Sequence, residues 1–195
     1  GWIQNAELMS ASAAQRRDAD SARLVVQAMH QAGVQPEDSV ALIGHSQGGI
    51  VAAALASDYA DTYRIEHVVT AGSPIANHPI RSNTWVTSVE MDDELVAALD
   101  GASNPANDHW VTIRGTVTDG DSDGLCTGRA IDDSDGPYRL THDLKYHEAA
   151  LGHALDLGSP AVQQHNDHFR GTIAGDYVGT TYWQGRMAHH TPGED

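Results

Sequence analysis

The apolar positions of this chain follow two spacings. Val40-Ala41-Leu42-Ile43 is a short unbroken run ending at Gly44, which reads as a buried strand. Residues 64–71 (Arg-Ile-Glu-His-Val-Val-Thr-Ala), 84–91 and 109–114 read as three further strands, the first of them stopped by Gly72-Ser73-Pro74. Helical spacing takes over elsewhere. From about Ser12 to Gln31, Leu24, Val25, Ala28 and Met29 share one face, with Arg16, Arg17 and Asp18 opposite or at the start. Ser10 or Ser12 can cap that helix and Gly33 ends it. Residues 50–56 are small and apolar, as a closely packed helix requires, and residues 148–157 and 162–172 are also expected to be helical. Residues 1–9 show no clear period and read as an ordered lead-in. Residues 35–38 read as a loop, 118–137 as a Gly- and Asp-rich loop, and 189–195 as a loose tail.

Strands separated by crossover-length segments predict an α/β fold, a mostly parallel sheet with flanking helices. The 195 residues suit one domain spanning 1–195, and no internal repeat suggests otherwise.

Charge narrows the partners. Against 27 Asp and Glu stand 11 Lys and Arg, with Lys145 the single lysine, for a formal net charge of −16. A surface of that sign repels nucleic acid and anionic membranes, so neither is an expected partner. No apolar stretch approaches the length of a membrane span. The one cysteine, Cys126, excludes an internal disulfide framework and is expected to be an idle thiol.

Candidate chemistry centres on Gly44-His45-Ser46-Gln47-Gly48, between the first predicted strand and the small-residue helix. Strand, tight turn and helix are the setting in which G-x-S-x-G forms a nucleophile elbow, lifting the serine hydroxyl above the sheet. Gly44 and Gly48 are expected to be glycine because a side chain at either would clash with the neighbouring strand or helix. The Gln47 amide, in the first helical turn, would face the same space and could stabilise an oxyanion. The plainer alternative is an ordinary strand-to-helix turn with Ser46 as its cap.

The segments Gly44-His45-Ser46-Gln47-Gly48-Gly49, Ala71-Gly72-Ser73-Pro74 and 92–101 (D-D-E-L-V-A-A-L-D-G) together resemble the α/β-hydrolase-fold serine esterases and lipases, of the lipase-like kind found in actinobacteria. The resemblance covers about Ser12 to Tyr146. It implies that Ser46 is the nucleophile, followed in chain order by an acid and a histidine. The acid belongs just past the third strand, where Asp92, Asp93 and Glu94 crowd together. Asp93 is favoured, lying shortly before Val96 and Leu99-Asp100-Gly101, with Asp92 and Glu94 as alternatives. Of the 12 histidines, His142 is the expected base, since Thr141-His142-Asp143-Leu144-Lys145-Tyr146 resembles the H-x-x-x-Y surroundings of such hydrolases. His147 is the runner-up, while His153, His165 and His168 are expected at the surface. His45 is expected to shape the substrate pocket. The resemblance also implies strands ahead of the elbow strand, one loop of which supplies a second oxyanion amide. None is visible here. The expectation is therefore the C-terminal portion of the fold, its first strand covered by a missing N-terminal segment or a partner chain.

Metal is not expected. Asp119-Gly120-Asp121-Ser122-Asp123-Gly124 opens like a calcium loop, but the twelfth position is Ala130, where a bidentate Glu belongs. His165 and His168 fit no zinc pattern. The expected activity is cofactor-free hydrolysis of a small-molecule or lipid ester through a Ser-His-Asp triad and an acyl-enzyme. Two alternatives remain open: a catalytically incomplete half-domain acting as a binding module, and an acyltransferase using the same triad. Compartment is undetermined, with secretion or cell-envelope residence compatible.

Overall fold

The structure, a computed structural model, describes residues 2–117 and 141–185. Four strands, β1 (Ser39–His45), β2 (Arg64–Ala71), β3 (Trp85–Met91) and β4 (Trp110–Gly115), pair in parallel in the order β1-β2-β3-β4. This is the α/β arrangement the spacing predicts. Because all four strands run the same way, the loops leaving their C-terminal ends gather on one side of the sheet, the side on which open α/β sheets place their sites. Only the β1–β2 crossover carries a helix, α4 (Gln47–Asp58); residues 72–84 and 92–109 contain neither helix nor named strand.

The N-terminal region departs from expectation. The lead-in is a helix, α1 (Trp2–Leu8), and the single helix expected over 12–31 is two, α2 (Ala13–Asp18) and α3 (Asp20–Gln31), broken where Ala19 turns extended at ψ 124°. Arg16 explains the break. Instead of facing solvent it is buried against Asp58 of α4, with Nε to Oδ2 at 2.7 Å, Nη2 to Oδ1 at 2.6 Å, and Nη1 donating to the Ser10 carbonyl at 2.7 Å. The turn at Ala19 lets α2 deliver that guanidinium to α4 while α3 places Ala22 and Met29 in the same core. Such a pair is costly to break, since removing one partner strands the other charge at a penalty of about 3–5 kcal/mol.

Two apolar clusters sandwich the sheet. The larger joins Leu8, Ala22 and Met29 to the small residues of α4 and to Ile65, Val68 and Val86 of the strands. Between Ile65 and His67, the β1–β2 register slips by one at Glu66, so Ile65 and Val68 reach the same cluster despite their odd spacing. The smaller cluster packs Val89 and Ile113 against α5 (Leu144–Leu157) and Val162 of α6 (Pro160–Thr172). β1 differs from the buried strand expected. Val40 and Leu42 pack on the larger cluster, but β1 is an edge strand among the described residues and Ile43 is 71% exposed.

α6 meets the sheet through histidines. His165, expected at the surface, is buried. His67 Nε2 lies 3.0 Å from Thr87 Oγ1, His67 Nδ1 lies 3.0 Å from His168 Nδ1, and Thr87 Oγ1 lies 3.2 Å from His165 Nδ1. Trp85 stacks on His168 with ring centroids 4.4 Å apart. Two ring nitrogens in contact need one donor and one acceptor, so a neutral ring is required. Burial, reinforced by His168 and His165, pushes the His67 imidazole from 6.5 down to about 3, and burial lowers His165 and His168 as well. The unfolded chain therefore binds protons below pH 6.5 that the folded chain refuses. For His67, the stability of this contact is fully present above about pH 6.5 and is lost as pH falls toward about 3, by about 1.4 kcal/mol per pH unit, and the lowered His165 and His168 act in the same direction. We expect Tm to fall steadily below pH 6.5 in calorimetry, and His67→Gln to flatten that slope; an unchanged slope would remove His67 as its source.

Candidate active site

Ser46 sits between the end of β1 and the start of α4 with φ 54° and ψ −124°, the one non-glycine residue with positive φ among those described. For a serine this costs about 1–3 kcal/mol, which the packed turn must impose. Gly44 is what lets the turn close: a Cβ there would lie 2.2 Å from the Gly48 carbonyl carbon. The same expectation for Gly48 is corrected. A Cβ on Gly48 would meet nothing within 4 Å, because its backbone, not its Cα substituent, faces β1. The crowded helix glycine is Gly49, where a Cβ would lie 2.1 Å from Ser73 Oγ. Gly44→Ala should therefore cost about 3 kcal/mol in denaturant titration, whereas Gly48→Ala should be neutral or stabilising by up to about 1 kcal/mol. Equal effects would mean the turn closes differently.

The loop after β2 braces this turn. Ser46 N–H donates to the Ala71 carbonyl at 2.8 Å, and the buried Ser73 hydroxyl lies 2.8 Å from the Ser46 carbonyl and 3.0 Å from that of Ala71. Asp100 holds the same loop from the other side, its Oδ2 accepting from the Ala76 amide at 2.7 Å.

The loop after β3 brings in a carboxylate, and it is Glu94. Asp92 N–H still pairs with the Gly115 carbonyl, continuing the β3–β4 ladder, and Asp92 Oδ2 accepts from Thr116 Oγ1 at 2.7 Å. Asp93 is exposed and has no hydrogen bond to His142. Glu94 N–H turns back onto the Met91 carbonyl at 3.1 Å, and its side chain points inward with 1% of its surface exposed. Gly72 makes the space, at φ 56°: a Cβ there would lie 2.4 Å from Glu94 Oε1 and 2.9 Å from His147 Nε2. The favoured Asp93 is thus not brought to His142, and the alternative Glu94 is. Alternation along an extended segment ends at Met91, so no period in the sequence says which of three successive acids turns in.

His142, in the turn before α5, closes the set. Its Nε2 lies 2.9 Å from Ser46 Oγ, and its Nδ1 is hydrogen-bonded to Glu94 Oε1. The second carboxylate oxygen, Oε2, lies 2.8 Å from Nε2 of His147, which is buried in the first turn of α5. Burial pushes the Glu94 carboxyl up, but hydrogen bonds from His147 and His142 together outweigh it and hold it below the usual carboxylate range. His45 Nε2 donates to the His142 carbonyl at 2.7 Å, and the two rings lie 4.9 Å apart. His45 therefore ties the loop carrying His142 to the end of β1. The Gln47 and Gly48 amides open α4, ahead of Gly49, whose N–H finds the Ser46 carbonyl at 3.0 Å; helix geometry leaves the first two without intrahelical acceptors. Gln47 Nε2 is also buried without a partner.

No cluster of three or more His, Cys, Asp or Glu among the described residues has the geometry to hold a metal. The Asp119–Gly124 segment, Cys126 and the tail from His189 lie outside the described residues. No described helix is long and apolar enough to cross a membrane.

Residues 16–123 match the family described as PGAP1-like alpha/beta domain. No curated protein and no solved structure matches the chain. The matched segment, more than half of the chain, runs from Arg16 through the Ser46 turn and the strands behind Gly72 and Glu94. It supports an esterase/lipase-like family and hydrolase-type activity in general terms. With its parallel sheet and its convergent loops, the chain belongs to the PGAP1-like alpha/beta domain family.

Proposed function

We propose that the protein is a serine hydrolase of carboxylic esters in which Ser46, His142 and Glu94 act as nucleophile, base and orienting acid. The observation that carries the reading is Ser46 at positive φ with His142 Nε2 2.9 Å from its hydroxyl and a buried carboxylate behind the ring. Ser46 Oγ attacks the ester carbonyl carbon as His142 Nε2 takes its proton. Negative charge develops on the carbonyl oxygen, toward which the Gln47 amide offers a donor. Collapse expels the alcohol, protonated by His142, and leaves Ser46 acylated. Water activated by the same nitrogen then releases the acid. Glu94 accepts from His142 Nδ1 throughout, which fixes the tautomer that leaves Nε2 free to take the proton. No cofactor enters the scheme.

The test is labelling by a fluorophosphonate probe, which reports an activated serine without a choice of substrate, followed by a panel of p-nitrophenyl esters. Labelling of the wild type that disappears in Ser46→Ala supports the reading. A folded wild type that does not label, and turns over no ester, would overturn it.

A further inference from the structure

Glu94 has two histidine partners, and serine hydrolysis accounts for only one. His147 Nε2 lies 2.8 Å from Glu94 Oε2, and His147 Nδ1 lies 3.1 Å from the Asp143 carbonyl one helical turn earlier. A carbonyl oxygen can only accept, so Nδ1 carries a proton. An ionised carboxylate oxygen can only accept, so Nε2 carries one too. Resting on the reading of the site given above, we propose that His147 is a positioning residue held as an imidazolium, which locks the Glu94 carboxylate and offsets its charge beside His142. Gly72 supports a built pair rather than an accidental contact, since any side chain there would strike Glu94 Oε1 and His147 Nε2 together.

The consequence is electrostatic. When His142 takes the Ser46 proton, its new charge faces a carboxylate already paired with a cation, so the ring gives the proton up to the leaving group more readily than it would beside a lone carboxylate. The other groups facing His147 are His142 and His45, with ring centroids 6.3 Å and 5.6 Å away. On the strands beneath α5, Glu90 and Arg114 pair with each other at 3.4 Å.

Two measurements test this. In long-range 1H–15N NMR of the wild type near pH 7, both His147 ring nitrogens should show the protonated pattern; a ring protonated at Nδ1 alone would overturn the proposal. In His147→Gln, which keeps an amide donor but no charge, the acid limb of the kcat/KM profile for p-nitrophenyl acetate should move up by about one pH unit, because His142 then holds its proton against an unpaired carboxylate. His147→Leu should add about a tenfold loss of kcat, since Glu94 loses a donor altogether. A profile of His147→Gln superimposed on the wild type would overturn the proposal while leaving the hydrolase intact. Conversely, a doubly protonated His147 in a protein that neither labels nor turns over ester would sink the hydrolase reading and leave the ion pair standing.

Discussion

Ser46→Ala is expected to lower kcat for an activated ester by about a million-fold, to abolish fluorophosphonate labelling and to leave the melting temperature within about a degree or two of the wild type. The magnitude follows from what the hydroxyl does. Without Oγ there is no covalent intermediate, and the His142–Glu94 pair has nothing to deprotonate, so the residual rate comes from binding and the oxyanion donors alone. The unchanged stability follows from the backbone. Alanine at φ 54° is as strained as serine, and the hydrogen bond given up is the one between Ser46 Oγ and His142 Nε2. Ser46→Gly separates the two effects. It should be equally inactive but more stable by about 1 kcal/mol, because glycine occupies positive φ without the Cβ penalty. A glycine variant no more stable than alanine would mean that the turn is not strained, and a Ser46→Ala protein that still turns over ester would remove the elbow from the chemistry.

The parts of this arrangement legible in the sequence are those governed by short-range rules. Gly44-His45-Ser46-Gln47-Gly48 between an apolar run and a small-residue helix specifies both the turn and its neighbours, and β2 appears where the sequence places it. The resemblance carried by Thr141-His142-Asp143-Leu144-Lys145-Tyr146 points to His142, whose Nε2 lies 2.9 Å from Ser46 Oγ. What stayed hidden depends on tertiary pairing. Helical spacing places Arg16 opposite the apolar face or at the helix start, and says nothing of its pairing because Asp58, its partner, lies 42 positions away. The distinction between Gly48 and Gly49 is one of direction in a helix, visible only once Ser73 is in place. His67, His165 and His168 come from separate elements whose meeting no local pattern announces. The sequence did carry one clue that short-range reading undervalued. Gly72-Ser73-Pro74 reads as a strand stop, yet its glycine clears the space for Glu94 and its serine braces the Ser46 turn.

Glu94→Gln is expected to lower kcat about ten-thousand-fold, while Asp93→Asn and Asp92→Asn should change it by no more than about twofold. A glutamine keeps the shape of the side chain but can turn its amide N–H toward His142 Nδ1. The ring then takes the opposite tautomer, with its proton on Nε2 facing Ser46 Oγ, where no proton can be accepted; an orienting acid lost in this way costs about that factor. Loss of charge compounds it, because the imidazolium formed at His142 would face a neutral amide in a buried site. Asp93 is exposed without a bond to the ring, and Asp92 contributes an exposed hydrogen bond to Thr116 that bears on the loop alone. Stability provides a separate control. Glu94 is held below the usual carboxylate range, so its ionised form stabilises the fold above its unfolded value near pH 4.5, and that stabilisation is lost as pH falls through the lower folded value. Glu94→Gln should therefore lose that part of the acid dependence of Tm, whereas Asp93→Asn should retain it. If instead Asp93→Asn proves the more damaging substitution in kcat, the acid is Asp93, and the loop after β3 must rearrange by one residue when substrate binds.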